Sequence, residues 1–146
     1  MMATAIDVAA KFVKLSSESL SHLSLQKYVY LAHMLYAGQN DGARLVDEAF
    51  EAWDYGPVSP ALYARLRGFG SQAIPRVLLH GATPLSKEAS IAVEEIWSSL
   101  GDATSARLVD ITHDSLGAWR FVYRAGVKGL QIPQDEIVQE YQRRAA

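Results

Sequence analysis

Four histidines and one run of carboxylates are the residues of this chain whose types could do chemistry. His22, His33, His80 and His113 are the candidate metal ligands. No two stand at i, i+4, the spacing that sets two imidazoles over one metal on a helix, and His22 and His33 are eleven residues apart. His113 and Asp114 adjoin, so on a helix their side chains diverge. The structural alternative for each histidine is a hydrogen-bonded ring where two helices meet, and no metal site is expected.

Asp47, Glu48, Glu51 and Asp54 bring carboxylates close together. Dividing acid and base roles between them would take a neighbour that pushes their pKa values apart, and the segment supplies none. They read as a solvated acidic edge. Gly68-Phe69-Gly70-Ser71 is glycine-rich, but it follows a helical pattern and lacks the strand and third glycine of a dinucleotide site. It reads as a helix stop and a loop. There is no Gly-x-Ser-x-Gly elbow and no phosphate loop ending in Gly-Lys-Ser/Thr. The chain has no cysteine, which excludes disulfides, thiolate zinc sites, iron–sulfur clusters and cysteine nucleophiles. The expectation is a protein that is not an enzyme and carries no cofactor.

Composition sets the class. With 146 residues, 49% hydrophobic and 21% charged, the chain has the balance of a soluble globular protein and not of a disordered one. Its length fits one domain, 1–146. A net charge of −2 and a pI near 6.1 give no general attraction to nucleic acid or anionic membrane. The most apolar stretch, Tyr28 to Ala37, contains His33 and is half the roughly twenty residues of a membrane span. No targeting signal is recognisable at the N-terminus, so a cytoplasmic address is expected.

Apolar spacings of three and four dominate and predict a mainly α fold of six to seven helices, with at most short extended segments. Ile6, Ala9, Ala10 and Val13 share one face. Leu25, Tyr28, Val29, Ala32, Leu35 and Tyr36 share another, in a helix capped at Ser24 and ended near Asn40-Asp41-Gly42. Ser59-Pro60 is a cap with proline at the first helical position. Ser86 and Thr104 each cap a further helix, and Gly101 ends the first of these. The last helix begins near Pro133, with Asp135 and Glu136 in its first turn and Arg143 and Arg144 in its last. Phe50 to Trp53 and Val127 to Ile132 read as short extended pieces.

Three blocks are more specific in combination than alone. Leu25-Gln26-Lys27-Tyr28-Val29-Tyr30-Leu31-Ala32 comes first, and Phe50-Glu51-Ala52-Trp53-Asp54-Tyr55-Gly56-Pro57-Val58-Ser59-Pro60-Ala61-Leu62-Tyr63 second. Leu108-Val109-Asp110-Ile111-Thr112-His113 follows, with Trp119 six residues after the histidine. In this order they resemble the Panacea domain family, which includes SocA-type antitoxins and phage-associated GepA-like proteins. The resemblance runs from about residue 6 to residue 142.

The resemblance implies an antitoxin that neutralises a cognate toxin protein by direct contact. A second mode it implies is a proteolytic adaptor that delivers the toxin to a ClpXP-type protease. A third reading is a small helix-turn-helix DNA-binding regulator, since short consecutive helices can form that motif. Three basic residues on a background of −2 argue against nucleic acid, and a separate DNA-binding segment would need length that the chain does not offer.

The motif residues Trp53, Tyr55, Gly56, Pro57, Val58, Tyr63, Thr112, His113 and Trp119 read as architecture. Gly56-Pro57 punctuates a turn, which Trp53 and Tyr55 would pin to the core. Thr112 and His113 end a helix against which Trp119 would pack. The partner surface is sought among residues the core does not claim. Lys27, Tyr30 and Met34 lie off the face of Leu25, Tyr28, Val29, Ala32 and Leu35, although Tyr30 and Met34 could instead fill a second core face. Arg120 and Arg124, four apart, would share a face if helical and could fork onto carboxylates. Charge is segregated: Leu45 to Ala64 holds four acids and no base, and Ser115 to Gln134 holds Arg120, Arg124 and Lys128 and no acid. Such segregation suits a partner of mixed charge, or simply two solvated faces.

Overall fold

In the computed structural model, which describes residues 2–146, one helix organises the rest. Helix α1 (Ala5–Leu15) opens with a capping box between Thr4 and Asp7. Helix α2 (His22–Gln39) then runs through the centre, packed by α1, by the later helices α3 (Pro60–Leu66), α4 (Lys87–Leu100), α5 (Ser105–His113) and α7 (Gln134–Ala145), and by a short hairpin. Helix α6 (Trp119–Val122) is a single turn beside α5. The fold is mainly α, with seven α-helices, two 3-10 turns and one two-stranded sheet among the described residues.

Most starts and stops follow local chemistry. The Ser59, Ser86 and Thr104 hydroxyls accept from Leu62, Ala89 and Arg107 N–H, which satisfies first-turn donors left without helical partners. Gly101 follows α4, and Pro133 precedes α7. One cap differs from the sequence expectation. Helix α2 is capped three residues before Ser24, at Ser21, whose hydroxyl accepts from the Ser24 N–H and so makes Ser24 part of the first turn.

Strands β1 (Glu51–Trp53) and β2 (Gly56–Val58) pair antiparallel, with Ala52 opposite Pro57 and Trp53 opposite Gly56. The turn is therefore Asp54-Tyr55 and not Gly56-Pro57, which lie in β2. The other side of β1 takes the 130–132 segment: Ala52 N–H donates to the Leu130 carbonyl at 2.8 Å, and Ile132 N–H to that of Phe50 at 2.8 Å. Only the end of the extended piece expected from Val127 onward is paired.

The core gathers Phe12, Tyr28, Val29, Leu31, Leu62, Val93, Leu108 and Ile137 with the central helix. Phe12, Tyr28 and Trp97 form one aromatic group, and Tyr30, His33 and Phe50 another. His33 is buried as a neutral ring. Its Nδ1 accepts from Val46 N–H at 3.3 Å, and its Nε2 lies 2.8 Å from Gln134 Oε1. Burial holds its pKa down at about 4. No helix of the described residues is long and apolar enough to cross a membrane.

Candidate functional site

The three sequence blocks converge on the hairpin. Helix α2 carries Gln26 and Lys27 to it from below. The Gln26 carboxamide accepts from Ser59 N–H at 2.8 Å and donates to the Ser59 carbonyl at 3.2 Å, as a neighbouring strand would. Its nitrogen also lies 3.0 Å from His22 Nε2, which must then accept, so the proton of that imidazole sits on Nδ1.

Lys27 is fully buried, at 0% exposure, and its Nζ donates to the Pro57 carbonyl at 2.9 Å. None of the four ion pairs among the described residues includes it. An ammonium held away from water with only a neutral acceptor is costly, so desolvation lowers its pKa to about 7. Burial, and next the charge of Lys27, also lower the pKa values of His22 and His113.

Gly56 permits this approach. Its φ is +113°, and a Cβ there would lie 3.0 Å from Thr112 Oγ1 and 3.2 Å from Lys27 Cε and Nζ. Thr112 itself turns back onto α5, its hydroxyl 3.0 Å from the Leu108 carbonyl.

Trp119 closes the arrangement from the other side. Its indole N–H donates to the Trp53 carbonyl at 2.7 Å. Its ring stacks on His113, with centroids 3.8 Å apart and planes 2° from parallel, and on Tyr123 at 4.5 Å. The Tyr123 hydroxyl reaches the Asp54 carboxylate in the hairpin turn. Glu140, buried in α7, fixes where α6 begins. Its Oε1 accepts from Ala118 N–H at 2.8 Å and from the Tyr30 hydroxyl at 2.6 Å, and its Oε2 pairs with Arg144 at 2.8 Å.

Beside this hub lies an open cleft of about 620 Å³. The first turns of α2, with His22, Leu23, Gln26 and Lys27, form its base. The hairpin residues Glu51 to Tyr55, with Tyr63 from α3, form one wall, and the loop Gly126 to Gly129 lines it too. Trp53 meets Tyr63 edge-on at 4.7 Å, and Tyr63 lies 5.5 Å from His22. Among the described residues, no group of three or more His, Asp or Glu could hold a metal ion.

Residues 25–120 match the family described as "Antitoxin SocA-like, Panacea domain". The chain belongs to this family. The matched stretch is shorter than the span from 6 to 142 over which the sequence resembles it, yet it contains the hairpin, Lys27, His113 and Trp119. Antitoxin SocA of Caulobacter vibrioides (strain NA1000 / CB15N) is 31% identical over 110 residues, which cover 68% of this chain and 58% of the relative. The chain thus spans about 58% of the length of that relative. No solved structure matches.

Within this Panacea domain the motif residues meet as one unit. Trp53, Gly56, Pro57, Tyr63, Thr112, His113 and Trp119 all contact the hairpin or its supports, and Val58 is buried at the end of β2. Tyr55 departs from expectation. It is 69% exposed at the turn tip and pins nothing to the core.

The expected partner surface is corrected more sharply. Lys27, Tyr30 and Met34 are buried, because α2 is covered on several sides and has no free face. Lys27 serves the hairpin, and Tyr30 serves Glu140. Arg120 and Arg124 are exposed, but α6 ends at Val122, so they do not share a helical face. Residues that the sequence did not single out for the site are Gln26, Tyr123 and Glu140, together with the cleft-lining Leu23 and Val127, and His22 was weighed only as a metal ligand. Gln26, polar beside Lys27 within an otherwise apolar run, carried the available signal.

Proposed function

We propose that this Panacea domain is an antitoxin that neutralises a cognate toxin protein by direct binding and without catalysis. Membership of the SocA-like antitoxin family is the observation that carries the reading. The arrangement of the motif residues supports it. Lys27 and Trp119 place their polar groups on the main chain of the hairpin, and Gln26 on that of Ser59 just beyond it, which holds its shape. What that shape offers outward is an open, aromatic-lined cleft and an exposed turn. Interfaces draw on such aromatic surface.

The test is co-expression with the product of the adjacent gene, when that product alone arrests growth. Growth should be restored with the toxin still present at an unchanged level and co-purifying with the domain. Restoration accompanied by protease-dependent loss of the toxin would replace neutralisation by contact with delivery to a ClpXP-type protease. No restoration would remove the antitoxin reading.

A further inference from the structure

Of the nine large apolar side chains exposed among the described residues, Leu23, Tyr55, Tyr63 and Val127 all line the cleft beside the hairpin. Clustered exposed apolar surface marks interaction sites where scattered residues do not. The cleft also carries charges of both signs. Glu51 and Asp54 stand on the hairpin wall, and Lys128 stands on the loop that lines the cleft. That loop belongs to the stretch from Ser115 to Gln134, which contains Arg120, Arg124 and Lys128 and no acid. None of these five charged residues takes part in any ion pair among the described residues. Glu51 and Asp54 accept only from the neutral donors Trp53 Nε1 and Tyr123 OH, which leaves their charge uncompensated.

We infer that the cleft is a docking groove for a segment of a protein partner that presents a large apolar side chain together with an acidic residue for Lys128 and a basic residue for Glu51 and Asp54. Apolar lining accounts for the central side chain. Unpaired charges of both signs in the lining account for the mixed charge of the segment, because complementary potentials orient a partner and disfavour wrong ones. The inference rests on the antitoxin reading in naming a protein as the occupant, and it adds which surface binds and what chemistry that surface reads.

The probe is a phage-displayed library of random twelve-residue peptides, selected on the purified protein. Enriched sequences should carry a large apolar residue together with an acidic and a basic one. A synthetic representative should lose roughly tenfold in affinity on Tyr55→Ala and on Lys128→Glu. A peptide with its acid changed to lysine should recover binding to Lys128→Glu alone. Val77→Ala serves as control, since Val77 is 71% exposed yet lies outside the cleft, and it should bind as the wild type does. Failure to enrich any peptide, or equal binding by Tyr55→Ala and Lys128→Glu, overturns the groove. So does self-association of the protein that Tyr55→Ala abolishes, because the occupant would then be a second copy. Peptides that bind in the groove while the adjacent gene product does not bind the protein would refute the antitoxin reading and leave the groove standing. Equal binding of that product by the wild type and both cleft variants would refute the groove and leave the antitoxin reading.

Discussion

The indole of Trp119 donates to the main-chain carbonyl of Trp53 at 2.7 Å, joining two residues sixty-six apart in sequence. Trp119 → Phe keeps an aromatic ring on His113 and removes the donor. It should cost about 1 kcal/mol, the usual net value of such a bond, with the helical signal retained. Urea denaturation checks this.

Gly56 → Ala should cost more. The φ of +113° is one that side chains rarely adopt, and the new methyl meets Thr112 and the Lys27 amine at 3.0 and 3.2 Å. Backbone strain and forced displacement together predict a loss of about 2–3 kcal/mol in the same assay.

Lys27 predicts a pH dependence with a definite sign. Its pKa is about 7 in the folded chain and near 10.4 when unfolded. Between those values the unfolded chain binds more protons, so stability rises as pH is raised from 7 toward 10. Below pH 7 the amine is charged in both states, and the cost of burying it is present in full. Lys27 → Met should flatten this rise relative to the wild type. An equal slope in both proteins, measured by chemical denaturation across that range, would contradict the buried amine.

Glu140 gathers Tyr30, Ala118 and Arg144 onto one buried carboxylate. Glu140 → Ala leaves the Tyr30 hydroxyl and the Ala118 N–H without their acceptor, while Arg144 keeps its pair with Asp114, so a loss of about 2–4 kcal/mol is expected. Because Ala118 precedes α6, the stack of Trp119 on His113 should loosen as well, which tryptophan fluorescence reports.

Features decided within one turn of chain were legible in the sequence. The caps at Ser59, Ser86 and Thr104 depend on residues three positions away, and proline after Ser59 marks its helix start unaided. The position of α2 was not legible in the same way. A stripe assignment presumes one buried face, whereas α2 is packed on several sides and buries Lys27, His33 and Met34 as well as Leu25 and Val29. The continuous apolar run from Tyr28 to Ala32 was the trace of that burial. Lys27 obscured it, because lysine is almost never fully buried. The hub depends on pairings such as Lys27 with Pro57 and Trp53 with Trp119, and no local pattern specifies those. The loop side of the cleft showed only as a stretch of bases without acids.

Titration calorimetry of the purified domain against the purified product of a neighbouring gene that arrests growth when expressed alone tests the central claim most directly. The account predicts saturable binding with a dissociation constant of about a micromolar or tighter, and loss of toxin activity in step with occupancy. A folded domain that shows no heat of binding, and leaves the toxin fully active at excess, would contradict it.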